Sequence, residues 1–118
     1  MAPTESDCLF CGIIAGRIPA DVVGESEQTL AFRDLNPQAP THVLIVPRQH
    51  YATAAQAGAA DAGLLDEIAR VAGEVATAEG IADTGYRLVF NTGPAAGQTV
   101  LHVHGHLLGG RGLEWPPG

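Results

Sequence analysis

The sequence predicts an α+β fold: an antiparallel sheet of about five strands carrying one long helix, with a short helix near the N-terminus. Three observations predict it. Short apolar runs outnumber helical stretches, most successive runs are joined by loops too short for a parallel crossover, and only one segment sustains a helical period. At 118 residues, with no internal repeat and no Pro/Gly/Ser linker, the chain reads as a single domain spanning 1–118.

The elements follow in order. A helical turn is expected around Gly12 to Gly16, closed by Arg17-Ile18-Pro19. Val22 to Glu25 and Thr29 to Asp34 read as paired strands, and Asn36-Pro37 with Ala39-Pro40 enforces a loop. Val43 to Val46 is a continuous apolar strand that begins after His42 and closes at Pro47. The long helix is expected from Asp61 as N-cap, with Leu64, Ile68, Val71 and Val75 at helical spacing and Gly80 as the stop. Tyr86 to Asn91 and Thr99 to Leu108 complete the strands.

Composition excludes several function classes. Hydrophobic residues at 46% and charged residues at 16% describe a globular chain, and no apolar run approaches a membrane span. Six basic against thirteen acidic residues give a net charge of −7, which argues against a broad grip on a nucleic-acid polymer; any phosphate must be held locally, by backbone and neutral donors. The opening MAPTESDCLF lacks the pattern of a secretory signal, so a reducing cytoplasm is the expected location and the two cysteines are expected as thiols or ligands.

Three of the five histidines fall at every second position: His102, His104 and His106. On a strand they would share one face, with Leu101, Val103 and Leu107 turned into the core. Three readings compete: a solvated polar face, a three-histidine zinc site with an open position, and nucleophilic catalysis in which the middle imidazole attacks phosphorus. The loop Asn91-Thr92-Gly93-Pro94-Ala95-Ala96-Gly97-Gln98-Thr99 directly precedes the row. It offers glycines for close approach and neutral side-chain donors, which favours the phosphorus reading. Cys8-Leu9-Phe10-Cys11 has a spacing that lets two thiolates grip one zinc, although packed thiols would read the same way.

The run from Gln98 to Leu108 resembles the signature of the histidine-triad (HIT) superfamily, in which histidines alternate with apolar residues. The resemblance extends to Ile18-Pro19-Ala20, to the run from Ala31 to His42, to Gly109-Gly110-Arg111 and to Trp115-Pro116-Pro117-Gly118. All are similar to the Hint branch, the nucleoside phosphoramidate hydrolases. The resemblance implies a HIT-like fold, a homodimer, and hydrolysis of adenosine phosphoramidate-like nucleoside 5′-phosphoramidates through a covalent nucleotidyl-histidine. The alternatives are a dinucleoside polyphosphate hydrolase and a non-catalytic nucleotide-binding or scaffold module. It further implies roles for individual residues. His104 is the nucleophile, His106 contacts the phosphate and assists the leaving amine, His102 is the first triad member, and His42 supports the cluster. Asn91, Gly97, Gln98 and Thr99 hold phosphate, Asp34 holds ribose hydroxyls, and Phe10, Ile13, Ile18, Phe32 and Leu35 wall a purine base. In HIT proteins with an N-terminal CxxC, a structural zinc is held by the two cysteines and two histidines, here Cys8, Cys11, His50 and His102.

Three departures from the family pattern stand out. Gly105 occupies a usually apolar position and is expected to leave a gap in the core-facing row. Thr99 replaces a commoner serine. Arg33 stands where histidine is frequent, with a possible shift of base or ribose preference.

Overall fold

The computed structural model describes residues 7–118, so the reading of Met1 to Ser6 lies outside the described residues. The first helix, α1 (Leu9–Ile14), starts earlier than glycine placement predicts because the Cys8 sulfur accepts the Cys11 backbone N–H and caps it. Strands β1 (Val22–Glu25), β2 (Thr29–Arg33) and β3 (Thr41–Pro47) follow. Next come α2 (Ala54–Ala60), α3 (Leu64–Ala78), β4 (Tyr86–Phe90) and β5 (Gly105–Gly109), with a single 3-10 turn at Pro94–Ala96. The five strands form one antiparallel sheet in the order β1-β2-β3-β5-β4. Among the described residues no helix is long and apolar enough to cross a membrane.

Three expectations are corrected. The helix α2, capped by the Thr53 side chain on the Gln56 N–H, ends at Asp61, which therefore closes α2 and does not open α3. α3 starts instead after Gly63, whose φ of +87° makes the corner between the two helices. The last strand begins at Gly105, not Thr99: the stretch from Gln98 to His104 has no ladder partner, since β3 and β4 pair with β5 only over residues 105–109. Strand alternation therefore fails at Leu101, which is 64% exposed, while Val103 and Leu107 are buried as expected.

The sheet is packed on both faces, and β3 explains how. All seven of its residues are buried, as a central strand covered on two sides requires. Val43 and Ile45 pack with Leu64, Ile68, Val71, Ala72 and Val75 of α3. Leu44 and Val46 point the other way, against Phe10, Leu30 and Phe32. At its far end α3 stops where Gly80 adopts φ of +77°. There Glu79 accepts two hydrogen bonds of 2.9 Å from the Arg33 guanidinium, which also lies 3.4 Å from Asp21. Arg33 thus ties β2 to the end of α3, with its charge engaged by Glu79 and Asp21.

Gly105 leaves no gap. It lies opposite Ile45 on one side and Phe90 on the other. A Cβ built there would sit 2.9 Å from Leu88 Cδ1 and 3.3 Å from the Phe90 ring, so β4 side chains have filled the space. Gly105→Val should therefore destabilise the fold by about 1–3 kcal/mol through overpacking. In urea unfolding, Gly105→Val combined with Leu88→Ala should cost less than the sum of the two single changes. Strict additivity would show that Leu88 is not what occupies the site.

Candidate active site and metal cluster

The site grows out of sheet register. Phe32 pairs with Leu44, Leu44 with His106, and His106 with Val89, so Phe32, Leu44 and His106 form one row across the sheet on the face turned from α3. His42 pairs with Leu108, which makes it a diagonal neighbour of His106 on that same face. The two rings meet with His42 Nε2 3.0 Å from His106 Nδ1. α1 and the loop after it close over the row, leaving a cavity of about 240 Å³. Phe10, Ile13, Ile18, Phe32 and Leu35 line its apolar wall, and Asp34, Thr99, His104 and His106 supply its polar groups.

Hydrogen bonds assign the tautomers. The Gln38 backbone N–H donates to His42 Nδ1 at 3.0 Å, so the proton of a neutral His42 is on Nε2. That N–H is shared between His106 Nδ1 and an Asp34 carboxylate oxygen 3.4 Å away. His106 accepts at Nδ1 and therefore carries its own proton on Nε2. His104 has the opposite arrangement. Its Nδ1–H donates to the His102 carbonyl at 2.8 Å, which leaves the Nε2 lone pair unengaged. One imidazole of the cavity thus offers a lone pair and its neighbour, with ring centroids 4.8 Å apart, offers a proton.

Burial keeps these rings neutral. Desolvation lowers the pKa of His42 and His104, and brings His106 to about 4 with further repulsion from His104 and His42. Phe10 lies edge-on to His104, with centroids 4.9 Å apart, and contributes to that dry environment.

His102 is separated from this pair by its ring, though not by its backbone. The ring is fully buried, and its Nε2–H donates to the Pro47 carbonyl at 2.8 Å. Its Nδ1 faces the sulfurs of Cys8 and Cys11, each 3.5 Å away. His50 Nδ1 lies 3.3 Å from the Cys11 sulfur. The donor atoms of Cys8, Cys11, His50 and His102 all fall within 4.8 Å of one another. Two sulfurs and two imidazole nitrogens suit a tetrahedral ion, and His102 is in the tautomer that leaves Nδ1 for it. Because both nitrogens of His102 are engaged on this side, the three triad histidines do not converge on a single metal. Asp34, His42 and His106 also cluster. There, however, the Gln38 N–H occupies His42 Nδ1, so Nε2 is protonated and serves a hydrogen-bond relay.

The loop before the triad is a closed turn. Gly93 and Gly97 have φ of +87° and +86°, and flank the 3-10 turn. The Gln98 side chain accepts from the Gly93 N–H and donates to the carbonyls of Ala52 (2.7 Å) and Val100 (3.1 Å). Both of its N–H groups are therefore used to hold the loop. Thr99 lines the cavity and Gly97 is exposed, while Asn91 is half-buried at the end of β4 and does not line the cavity. Sequence reasoning missed the groups that orient the histidines, because the Gln38 N–H and the carbonyls of Pro47 and His102 are backbone atoms. Residue type carries no signal for them.

Comparison with known proteins agrees with this architecture. A family model described as HIT domain matches residues 15–113. A 14 kDa zinc-binding protein of Zea mays is 48% identical over 116 residues, covering 97% of this chain and 90% of that protein. The crystal structure of a HIT family hydrolase from Legionella pneumophila superposes with a TM-score of 0.90 at 54% identity, covering 95% of this chain and all of that one. The histidine triad nucleotide-binding protein of Candida albicans gives a TM-score of 0.79 at 33% identity, over 93% of this chain and 83% of that one.

The neutral histidines impose a pH dependence. His106 takes its proton near 6.5 when unfolded and only near 4 when folded. As pH falls through that window the unfolded chain binds the proton first, so stability is present above it and is lost on acidification. Urea unfolding at pH 7 and pH 5 should show a smaller acid loss for His106→Asn than for the wild type. An equal loss would mean that His106 is not held neutral by the fold.

Proposed function

The chain belongs to the HIT domain family, and from that premise we propose that it is a nucleoside 5′-phosphoramidate hydrolase of the Hint type, acting through a covalent nucleotidyl-histidine. The opposed tautomers of His104 and His106 at one cavity carry this reading. His104 Nε2 attacks phosphorus and forms a P–N bond. The P–N bond to the amine breaks, and the amine departs with the proton from His106 Nε2. Water then attacks phosphorus and gives a proton back to the vacated His106 Nε2, and the His104–P bond breaks to release the nucleoside monophosphate and regenerate both imidazoles.

Supporting roles follow from position. His42 keeps His106 in its donating tautomer, and Asp34 at the cavity edge is placed for ribose hydroxyls. The apolar wall of Phe10, Ile13, Ile18, Phe32 and Leu35 suits a purine. Thr99 lines the cavity and offers its hydroxyl to the phosphate. In this reading Cys8, Cys11, His50 and His102 hold zinc as a closed four-ligand site, which supplies folding stability and no open position for water. A homodimer is also proposed: β4 ends the sheet, so its outer edge has no strand partner among the described residues, and Trp115 is 82% exposed.

With adenosine phosphoramidate as substrate, His104→Ala should abolish turnover while adenosine monophosphate still binds. His106→Ala should slow turnover by roughly 10²–10⁴, the usual range for a lost proton donor. Denaturing mass spectrometry of the acid-sensitive adduct should find it in the wild type and not in His104→Ala. Binding with no turnover and no adduct would make the protein a nucleotide-binding module, whereas turnover confined to dinucleoside polyphosphates would move it to another branch. Native mass spectrometry of protein purified without chelator should report twice the chain mass with about one zinc per chain. A metal-free monomer would remove both proposals, and loss of neither metal nor thermal stability in Cys8→Ser combined with Cys11→Ser would remove the zinc site.

A further inference from the structure

His104 sits on a segment with unusually few means of holding still. Residues 98–104 precede β5 and have no sheet ladder. What holds them is the Val103 N–H on the Tyr51 carbonyl at 2.7 Å, the Gln98 side chain on the Ala52 carbonyl, and the His102 ring. Two of these meet at the peptide unit between His102 and Val103, whose N–H is the one on Tyr51 and whose carbonyl accepts the His104 Nδ1–H at 2.8 Å. That carbonyl belongs to a residue whose ring is engaged at both nitrogens, by Pro47 on one side and the two sulfurs on the other.

From this geometry we infer that His102 is a positioning residue that couples occupancy of the Cys8–Cys11–His50–His102 cluster to the tautomer and aim of His104. The inference rests on the hydrolase reading only for its catalytic consequence. A neutral imidazole exchanges readily between its two tautomers unless a fixed acceptor selects one. The His102 carbonyl is that acceptor, and its peptide unit is held from two sides: by the His102 ring, and by the Val103 N–H of the same peptide on the carbonyl of Tyr51, the residue after His50. An ion on Nδ1 makes a strong, directional bond there, whereas thiols at 3.5 Å are weak partners. Emptying the cluster leaves the ring held at Nε2 by Pro47 alone and releases His50 beside Tyr51, so the peptide after His102 loses restraint from both sides and His104 gains access to the tautomer that presents N–H where a lone pair is needed. The β2 and β3 walls of the cavity, with Phe32 and Leu44, carry no ligand of the cluster, so substrate affinity rests largely on residues outside it.

The test uses the full chain with ¹⁵N-labelled histidine, loaded with zinc and then stripped by chelator at one neutral pH. Side-chain ¹⁵N shifts, with His104 assigned by comparison with His104→Ala, should show a single Nδ1–H tautomer in the loaded protein and a mixture in the stripped one. With adenosine phosphoramidate, kcat should fall roughly tenfold or more, in line with the cost of a slightly misplaced catalytic group, while KM changes little. Zinc addition should restore both. If the stripped wild type unfolds, the same two measurements on His50→Ala decide the matter, since that variant keeps both sulfurs and His102 but loses a ligand. An unchanged His104 tautomer and an unchanged kcat in the emptied protein would overturn the coupling. Absence of turnover in the loaded protein would instead count against the hydrolase reading, and the tautomer measurement would still decide the coupling.

Discussion

A fully buried imidazole has two nitrogens to satisfy, and His102 satisfies them in opposite directions. The Pro47 carbonyl takes the Nε2–H, so Nδ1 must be the lone pair, and that lone pair faces two sulfurs. From this follows the ligand set of the cluster, while the carbonyl of the same residue selects the tautomer of His104. No buried side-chain nitrogen or oxygen among the described residues is left without a partner. A single unpaired end in this chain of hydrogen bonds would cost about 1–3 kcal/mol. The arrangement is therefore held by the same rule that holds the core.

Neutrality is the second consequence of burial. The chain carries −7 overall, so it offers phosphate no general attraction. Charging the buried histidines would help bind an anion, yet it would destroy the lone pair that the proposed reaction requires of His104. Desolvation resolves the conflict in favour of the lone pair by lowering the pKa of His42, His102, His104 and His106. In the proposed function phosphate binding would then fall to neutral donors: the His106 Nε2–H, the Thr99 hydroxyl and a glycine-bearing turn that lets backbone come close.

Most of the fold was legible because its elements announce themselves in side chains. The period of Leu64, Ile68, Val71 and Val75, the apolar run of β3 and the glycines that break helices are all residue-type signals. The failures have physical reasons. α2 is seven residues rich in alanine, too short and too uniform to show a face. The stretch before β5 alternates like a strand, but its backbone bonds go to the Tyr51 carbonyl and not to a ladder. At the site, the histidines and cysteines were legible as chemical types. Their roles depend on which nitrogen carries a proton, and that is decided by backbone atoms of Gln38, Pro47 and His102 that any residue could have supplied.

The two faces of the sheet divide the work. On the α3 side, eleven buried residues from Ala31 to Leu107 form one cluster that contains no histidine. On the α1 side, only Phe10, Leu30, Phe32, Leu44 and Val46 form the buried cluster, and the rest of that face is given to the cavity and its imidazoles. Such a face buries less apolar surface and encloses a void, so it contributes less to stability per residue. The cluster of Cys8, Cys11, His50 and His102 lies on this weaker side, where it joins α1, the segment after β3 and the segment before β5. These are the three pieces of chain that the sheet does not itself hold together. With the proposed zinc bound, the cluster at that junction would offset the apolar packing that the cavity displaces, and His102, whose ring belongs to the cluster and whose carbonyl holds His104, is where the two meet.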